Sequence, residues 1–298
     1  MYEIRFCQYD ELNLLQDFLT RHWNENHIFT SSTKLLQWQH VNLKDKIINF
    51  VVAYNKNSGE FDAILGFIPT SQYDFNIKNR DIWLAIWKVK EGFASTGIGL
   101  QVLVFLNSNY KASSVGVLGV SEDAMKIYKA FRYKTGILNH FYIKNDSFTD
   151  YSIASFNKIN NVSHSTNSNI DIKQITDEEF LSSNISCQYT PYKTKDYYIN
   201  RYYNNSFYEY TFNAIVIKNT IIGVFITRKI IVDKAACIRI VDWIGDYSKN
   251  LYHEFQKLLQ KNDAEYIDFL CKVPNEDEIS EMGFLEKNND HEVIPNYF

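Results

Sequence analysis

The stretch Thr96-Gly97-Ile98-Gly99-Leu100 stands between two apolar runs and determines how this part of the chain folds. The run before it, Ile82 to Val89, is rich in aromatic and branched residues, and the stretch opens a second apolar run from Leu100 to Leu106. Glycines let a backbone approach a ligand closely and take a positive φ. The first N–H groups of a helix and the positive end of its dipole attract anions. The pattern therefore predicts a strand, a phosphate-binding glycine turn and a helix.

The glycine turn also has a simpler interpretation, an ordinary tight turn without a ligand, because short motifs often match by chance. It is not a P-loop, since no Gly-Lys-Ser/Thr follows it. It is also a poor dinucleotide fingerprint, because Val102 occupies the position of the third glycine. A different phosphate-bearing cofactor and a purely structural turn both remain open at this point.

The composition is that of a globular protein with room for two domains of ordinary size. The chain has 298 residues, 45% of them hydrophobic and 22% charged, with a net charge of −4. The acidic balance disfavours a general nucleic-acid binder, which usually needs a basic face. None of the four cysteines forms a Cys-x-x-Cys pair, so reduced thiols in a cytoplasmic protein are expected. No signal segment or membrane span is predicted.

A polar stretch rich in Asn, Ser and Asp divides the chain almost in half. We interpret residues 146–170 as a linker, with one domain at residues 1–145 and a second at residues 171–298. The two halves repeat the same order of predicted elements: a strand with an acidic helix start, a hairpin, a strand, a helix and a buried strand. The expected fold class is α/β (α+β), with a mixed, mostly antiparallel central sheet flanked by helices in each half. A chance agreement of strand and helix patterns is the alternative.

The glycine turn is not repeated. At the corresponding place the second half reads Gly245-Asp246-Tyr247-Ser248-Lys249-Asn250-Leu251. An aspartate there would repel a phosphate, so only the first half is expected to hold an anionic cofactor.

Two motifs of the first half resemble those of the GNAT acyltransferase superfamily. Its phosphate motif is Gln/Arg-x-x-Gly-x-Gly/Ala, and Gly97 and Gly99 match it, although Ala94 replaces the leading Gln or Arg. Its later motif is approximately Val-Asn-x-x-Ala-x-x-Leu-Tyr-x-x-x-Gly-Phe, which corresponds here to residues 120–133. The matches are Ala124, Ile127 and Tyr128; Ser121 replaces Asn, and Arg132-Tyr133 replaces Gly-Phe.

The resemblance implies acyl-coenzyme A as the co-substrate, with no metal. Its pyrophosphate would bind the N–H groups of Thr96, Gly97, Ile98, Gly99 and Leu100. Its pantetheine arm would pair with the strand near Lys88 and Val89 like an added strand, and Ala124 would contribute to the same site. Tyr128 would lie near the sulfur and protonate the leaving thiolate. The alternative for Tyr128 is a helix tyrosine that only packs its ring.

The whole chain looks similar to tandem-domain enzymes that acylate nucleotide-linked amino sugars in bacterial surface-polysaccharide synthesis. The likeness lies in Trp23 to Phe29 with Trp38, in Gly66 to Pro69, and in Ile294 to Phe298. It implies a nucleotide-linked amino sugar as the acceptor, with the second, degenerate domain contributing to the acceptor pocket. His27 is the first candidate for the base that deprotonates the acceptor amine. The alternative is a histidine that orders its loop or hydrogen-bonds the sugar.

Several other interpretations remain open. One alternative is a different acceptor amine, such as an aminoacyl group, a polyamine or a protein N-terminus. Another is that the chain is a non-catalytic binding protein with the same fold. His140 is a weaker candidate base, for which we favour a place on a strand surface. Asp242 is expected to form an internal pair or to face the acceptor. No metal or hydrolase motif is evident.

Overall fold

A computed structural model describes residues 1–93, 97–156, 169–287 and 291–296. The chain forms two compact units. Unit 1 comprises Met1–Ala130 and Tyr189–Tyr197, and unit 2 comprises Phe131–Gln188 and Tyr198–Phe298. The fold is mixed α/β with two sheets flanked by helices, which confirms the predicted fold class.

Unit 1 is built on a six-stranded sheet with the order β1-β3-β4-β5-β6, and β2 pairs with β3. All neighbours are antiparallel except β5 and β6. The strands are β1 (Tyr2–Gln8), β2 (Val41–Asn42), β3 (Ile47–Asn55), β4 (Glu60–Pro69), β5 (Asp81–Val89) and β6 (Ser114–Val117). β3 and β4 are almost wholly buried, so their long apolar runs form the centre of the sheet.

The helices of residues 1–130 that the structure describes are α1 (Leu12–His22), α2 (Ile28–Ser31), α3 (Thr33–His40), α4 (Ile98–Tyr110) and α5 (Glu122–Ala130). The apolar side of α4 covers the sheet through the buried residues Val102, Leu103 and Leu106. Ser32 begins α3, since its hydroxyl accepts a hydrogen bond from the N–H of Leu35 at 3.3 Å. The helices therefore enclose the buried strands.

Strand β5 is bulged and only half paired on one edge. Leu65 of β4 pairs with Trp87 and Phe67 pairs with Leu84, so β5 carries one extra residue between these pairs. On its other edge β5 pairs with β6 only as far as Leu84. Within the described residues, the last five residues of β5 therefore have no partner in β6, and Trp87, Lys88 and Val89 pair with β4 alone.

Unit 2 is built on a seven-stranded sheet with the order β13-β7-β12-β11-β10-β9-β8. Only β11 and β12 are parallel. The strands are β7 (Asn139–Lys144), β8 (Ile170–Gln174), β9 (Thr211–Ile217), β10 (Thr220–Val232), β11 (Ala235–Gly245), β12 (Tyr266–Cys271) and β13 (Leu285–Glu286). The helices are α6 (Asp177–Ser182), a π-helical turn at Ile199–Tyr203, α8 (Tyr252–Lys261) and α9 (Asp277–Glu281). The short helix α7 (Lys195–Tyr198) spans the point where the chain passes from unit 1 to unit 2. Phe255 and Leu259 of α8 are fully buried in the core of this unit.

Unit 2 repeats the central arrangement of unit 1. β10 and β11 form an antiparallel pair with an irregularity next to Asp242, and β11 then pairs in parallel with β12 as far as Ile240. Trp243 follows Ile240 at the same spacing at which Trp87 follows Leu84. The two tryptophans therefore occupy corresponding positions in the two units.

One strand lies in a different sheet from its sequence neighbours. Asn139–Lys144 was predicted to belong to the first half, whereas β7 pairs along its whole length with β12 of unit 2. The second half supplies only the two-residue strand β13 beyond β12, and β13 pairs with β7. Without β7, the buried strand β12 would present an unpaired backbone edge. The expected division of roles between the two halves stays a prediction.

Of the helices among the described residues, none combines the length and apolar character that a membrane crossing requires.

Candidate functional site at the glycine turn

Gly97 forms the left-handed turn that begins α4. Its φ is +73°, and a Cβ built on it would meet nothing within 4 Å, so this position is open on its outer side. Among the described residues, no side chain caps the helix there, so none of them occupies the first N–H groups of α4 as a cap. Thr96, with Ala94 and Ser95 of the motif, lies outside the described residues.

Gly99 brings the start of α4 against the end of β5. A Cβ on Gly99 would lie 2.7 Å from Cγ2 of Val89, which is too close for any side chain without a shift. The indole Nε1 of Trp87 also donates a hydrogen bond to the carbonyl oxygen of Gly99 at 3.1 Å. Ile98 is 1% exposed, whereas Leu100 is 42% exposed. The first turn of α4 is thus anchored on one side and accessible on the other.

Lys88 and Val89 close β5 beside this helix start. They pair with Ile64 and Ala63 of β4 and are half-buried. They lie in the part of β5 beyond its last pair with β6. A strand with one edge paired and the other free can add an extended ligand by backbone hydrogen bonds.

Tyr128 lies on α5 and reaches the same tryptophan. Its side chain is 3% exposed, and its ring centroid is 5.7 Å from that of Trp87. Ala124 is half-buried one turn earlier, on the same face of α5. The N–H of Ala124 donates to the hydroxyl of Ser121 at 3.3 Å, so Ser121 helps to begin the helix.

Trp87 contacts both the start of α4 and Tyr128, although it was not among the site residues predicted from the sequence. It contacts the helix start through its N–H and Tyr128 through its ring. A signal for it was present in the sequence, because the repeat places Trp243 at the corresponding position of the second half.

His27 belongs to a separate cluster. It precedes α2 and its Nδ1 accepts a hydrogen bond from the N–H of Phe29 at 3.2 Å. Burial lowers the pKa of His27. An unprotonated Nδ1 means that the neutral ring carries its proton on Nε2, so the remaining nitrogen is a donor. This hydrogen bond favours the alternative role for His27, a loop-ordering or sugar-binding histidine.

His40 is the second histidine of that cluster, and no sequence signal marked it. It is fully buried against the rings of Phe29 and Phe50 at 5.4 and 4.7 Å. Its Nδ1 lies 3.3 Å from the carbonyl oxygen of Phe67. Burial lowers the pKa of His40 to about 4. His40 is therefore neutral at pH 7.

The two weaker candidates, Asp242 and His140, make internal contacts in unit 2. Asp242 accepts hydrogen bonds from the hydroxyl of Tyr202 and the N–H of Trp243, both at 2.9 Å. His140 lies 2.8 Å from the buried carboxylate of Asp268, which Arg239 also binds at 2.5 Å. The charge of Asp268 is thus compensated inside the sheet.

Within unit 2, backbone pairing occupies the position that corresponds to the open glycine turn of unit 1. The N–H of Asp246 donates to the carbonyl oxygen of Ile222 at 2.9 Å, so the chain continues to pair with β10 after Gly245. A Cβ on Gly223 would lie 2.2 Å from the carbonyl oxygen of Asp246. The indole Nε1 of Trp243, unlike that of Trp87, is buried with no hydrogen-bond partner among the described residues. The backbone here pairs with a strand and does not face an open turn.

Solved structures share this fold along nearly the whole chain. A GCN5-related N-acetyltransferase from Anabaena variabilis ATCC 29413 matches 97% of this chain and 71% of its own, with a TM-score of 0.58 and 12% identity. A conserved protein of unknown function from Enterococcus faecalis V583 matches 96% and 70%, with a TM-score of 0.57 and 8% identity. A GCN5-related N-acetyltransferase from Sphaerobacter thermophilus matches 98% and 93%, with a TM-score of 0.50 and 10% identity.

These likenesses establish the fold. No protein-family model matches the chain, and no curated protein matches its sequence. The fold is therefore that of the GCN5-related N-acetyltransferases.

Proposed function

We propose that the chain is an acyl-coenzyme A-dependent N-acyltransferase whose transfer site lies in unit 1. The observation that carries the proposal is the meeting of three features at Trp87. These are an open glycine turn at a helix start, a strand with one free edge, and a buried tyrosine on α5. Each feature serves a different part of an acyl-coenzyme A molecule.

The cofactor fits the residues that are present. The N–H groups of Ile98, Gly99 and Leu100, with Thr96 beside them, are proposed to bind the pyrophosphate, because they start a helix that no side chain caps. The free edge of β5 at Lys88 and Val89 is proposed to pair with the amides of the pantetheine arm. Ala124 is proposed to contribute apolar surface near the sulfur.

The proposed reaction is direct transfer in a ternary complex. The neutral amine attacks the thioester carbonyl, the C–N bond forms, and the C–S bond breaks as the thiolate leaves. Tyr128 is proposed to donate its hydroxyl proton to that thiolate, and the acceptor amine loses a proton to solvent. Holding both substrates together supplies much of the acceleration.

The proposed acceptor is an amino sugar on a nucleotide carrier. Trp23 and Ile28 remain 44% and 45% exposed on either side of His27, which leaves apolar surface for a sugar ring. With Nδ1 engaged by Phe29, the Nε2 proton of His27 is available for a sugar hydroxyl. We therefore assign His27 a positioning role in this proposal.

The cofactor assignment is tested at Gly97. Both Asp and Asn tolerate a positive φ, and a side chain there meets open space, so Gly97→Asp and Gly97→Asn both leave the fold intact. Only Gly97→Asp places a negative charge against a bound phosphate. Isothermal titration with acetyl-coenzyme A should give at least about a tenfold higher Kd for the Asp variant than for the Asn variant.

Equal affinity in the two variants, or no heat with any acyl-coenzyme A, would contradict the proposal. The acceptor is tested separately, by release of free thiol with a panel of nucleotide-linked amino sugars, polyamines and peptides.

A further inference from the structure

Unit 1 contains a second cleft, distant from the glycine turn. Its volume is about 470 Å³, which lies within the range of ligand pockets. It is bordered by Arg80, the residue before β5, and by Tyr110, the last residue of α4. Since α4 begins at Ile98 and rises about 1.5 Å per residue, the cleft lies about 18 Å from the turn. The cleft is therefore a separate place on this unit.

The cleft carries uncompensated positive charge. Its lining includes Lys44, Lys78 and Arg80, all exposed, and one carboxylate, Asp45. None of the three cations has a carboxylate within ion-pair distance among the described residues, whereas Asp45 accepts a hydrogen bond from Asn42 at 2.9 Å. In a chain whose net charge is −4, such a cluster favours an anionic ligand.

Two aromatic side chains accompany these charges. The Cζ atom of the Arg80 guanidinium lies 4.4 Å from the ring centroid of Tyr110, a cation–π contact that positions this charge beside the ring. Phe75 also lines the cleft, and 75% of its side chain is exposed. An aromatic ring this exposed gains from stacking on a planar ligand.

We propose that this cleft binds a nucleoside diphosphate. Arg80, Lys78 and Lys44 bind the diphosphate, and Phe75 stacks on the base. Side-chain amides in the lining, such as that of Asn79, provide hydrogen bonds to the sugar and the base edge. The proposal does not depend on acyl transfer, because it uses none of the residues of the glycine turn.

The probe is uridine diphosphate and not an adenine nucleotide. Because coenzyme A itself contains an adenine nucleotide, an adenine probe would not distinguish this cleft from the proposed coenzyme A site. Isothermal titration of the full chain should detect binding, with weaker binding of pyrophosphate and of uridine alone. Lys44→Ala with Lys78→Ala should raise the Kd for uridine diphosphate at least about tenfold. Phe75→Ala should weaken the binding of uridine diphosphate and leave the binding of pyrophosphate unchanged.

Matched controls are available on the same chain. Lys34→Ala removes an exposed charge of unit 1 outside the cleft, and Ile231→Ala removes a side chain that is 71% exposed in unit 2. Both should bind uridine diphosphate like the parent, and saturating coenzyme A should leave the Kd unchanged. Absence of binding, an unchanged Kd in the lysine variant, or competition by coenzyme A would each overturn the proposal.

Discussion

At the scale of single residues, Gly97 and Gly99 restrict substitution for different reasons. Gly97 has a left-handed backbone with open space around it, so its constraint is conformational. Gly99 has ordinary helical backbone but abuts Val89, so its constraint is steric. The two glycines of one motif therefore respond to different substitutions.

We expect Gly99→Ala to be destabilising in the parent chain and stabilising in a Val89→Ala background. Overpacking costs about 1–3 kcal/mol, whereas alanine in an unobstructed helix position gains up to about 1 kcal/mol over glycine. Removing Cγ2 of Val89 eliminates the overlap and leaves only the gain. Urea unfolding of the four chains measures both signs. The steric account fails if Gly99→Ala has the same effect in both backgrounds.

A second expectation concerns Tyr128. If its hydroxyl protonates the leaving thiolate, Tyr128→Phe lowers kcat about 100-fold with little change in KM. The ring remains packed on Trp87, so the melting temperature changes little. Thiol-release kinetics and a thermal melt provide the two readings. If kcat is retained, Tyr128 only packs its ring.

At the scale of elements, the segment from α2 to α3 holds a buried, neutral histidine. Burial lowers the pKa of His40 from 6.5 to about 4, so the unfolded chain binds a proton there more readily than the folded one. The stability that this group contributes is complete above pH 6.5 and is lost as the pH falls from 6.5 to 4.

The expected loss from His40 is about 3 kcal/mol over that interval, since each pKa unit corresponds to about 1.4 kcal/mol. His40→Gln should therefore show a shallower dependence of unfolding free energy on pH between 6.5 and 4. Burial also lowers the pKa of His27. Because His27 is present in both chains, its contribution to the pH dependence cancels in the comparison. Parallel pH curves for the two chains would refute this assignment.

Elements whose signals are local were predictable from the sequence. The strand at 82–89, the turn at Gly97 and the helix that bears Tyr128 each follow from a short motif or an apolar pattern. The partner of β7 was not predictable, because β12 lies more than 120 residues further along the chain and no local pattern specifies it. The burial of His40 likewise depends on rings from other elements.

At the scale of the molecule, the chain does not complete one unit before it begins the next. Residues 131–188 belong to unit 2, Tyr189–Tyr197 to unit 1, and the remainder to unit 2. Tyr192 and Thr194 are held in unit 1 by Asp81 and Asp74, at 3.0 and 2.5 Å. The sequence boundary between the halves therefore differs from the boundary between the units.

We expect a β7 variant to disturb unit 2 alone. Phe141 is 1% exposed and lies opposite Phe269 of β12, so Phe141→Ala should cost about 3–5 kcal/mol. Hydrogen exchange followed by mass spectrometry should show faster exchange at residues 266–271 and unchanged exchange at residues 60–69. Phe50→Ala, in the buried strand β3, is the matched control and should give the reverse pattern. Equal loss of protection in both segments would argue against separate units.

The position of β7 also sets a delay during synthesis. β7 ends at residue 144 and its partner strand ends at residue 271, so the ribosome must add 127 residues before the pair can close. At about 5–20 residues per second this takes about 6 to 25 s. Throughout that interval, Phe141, Tyr142 and Ile143, which are buried in the folded chain, lack the strand that covers their backbone edge.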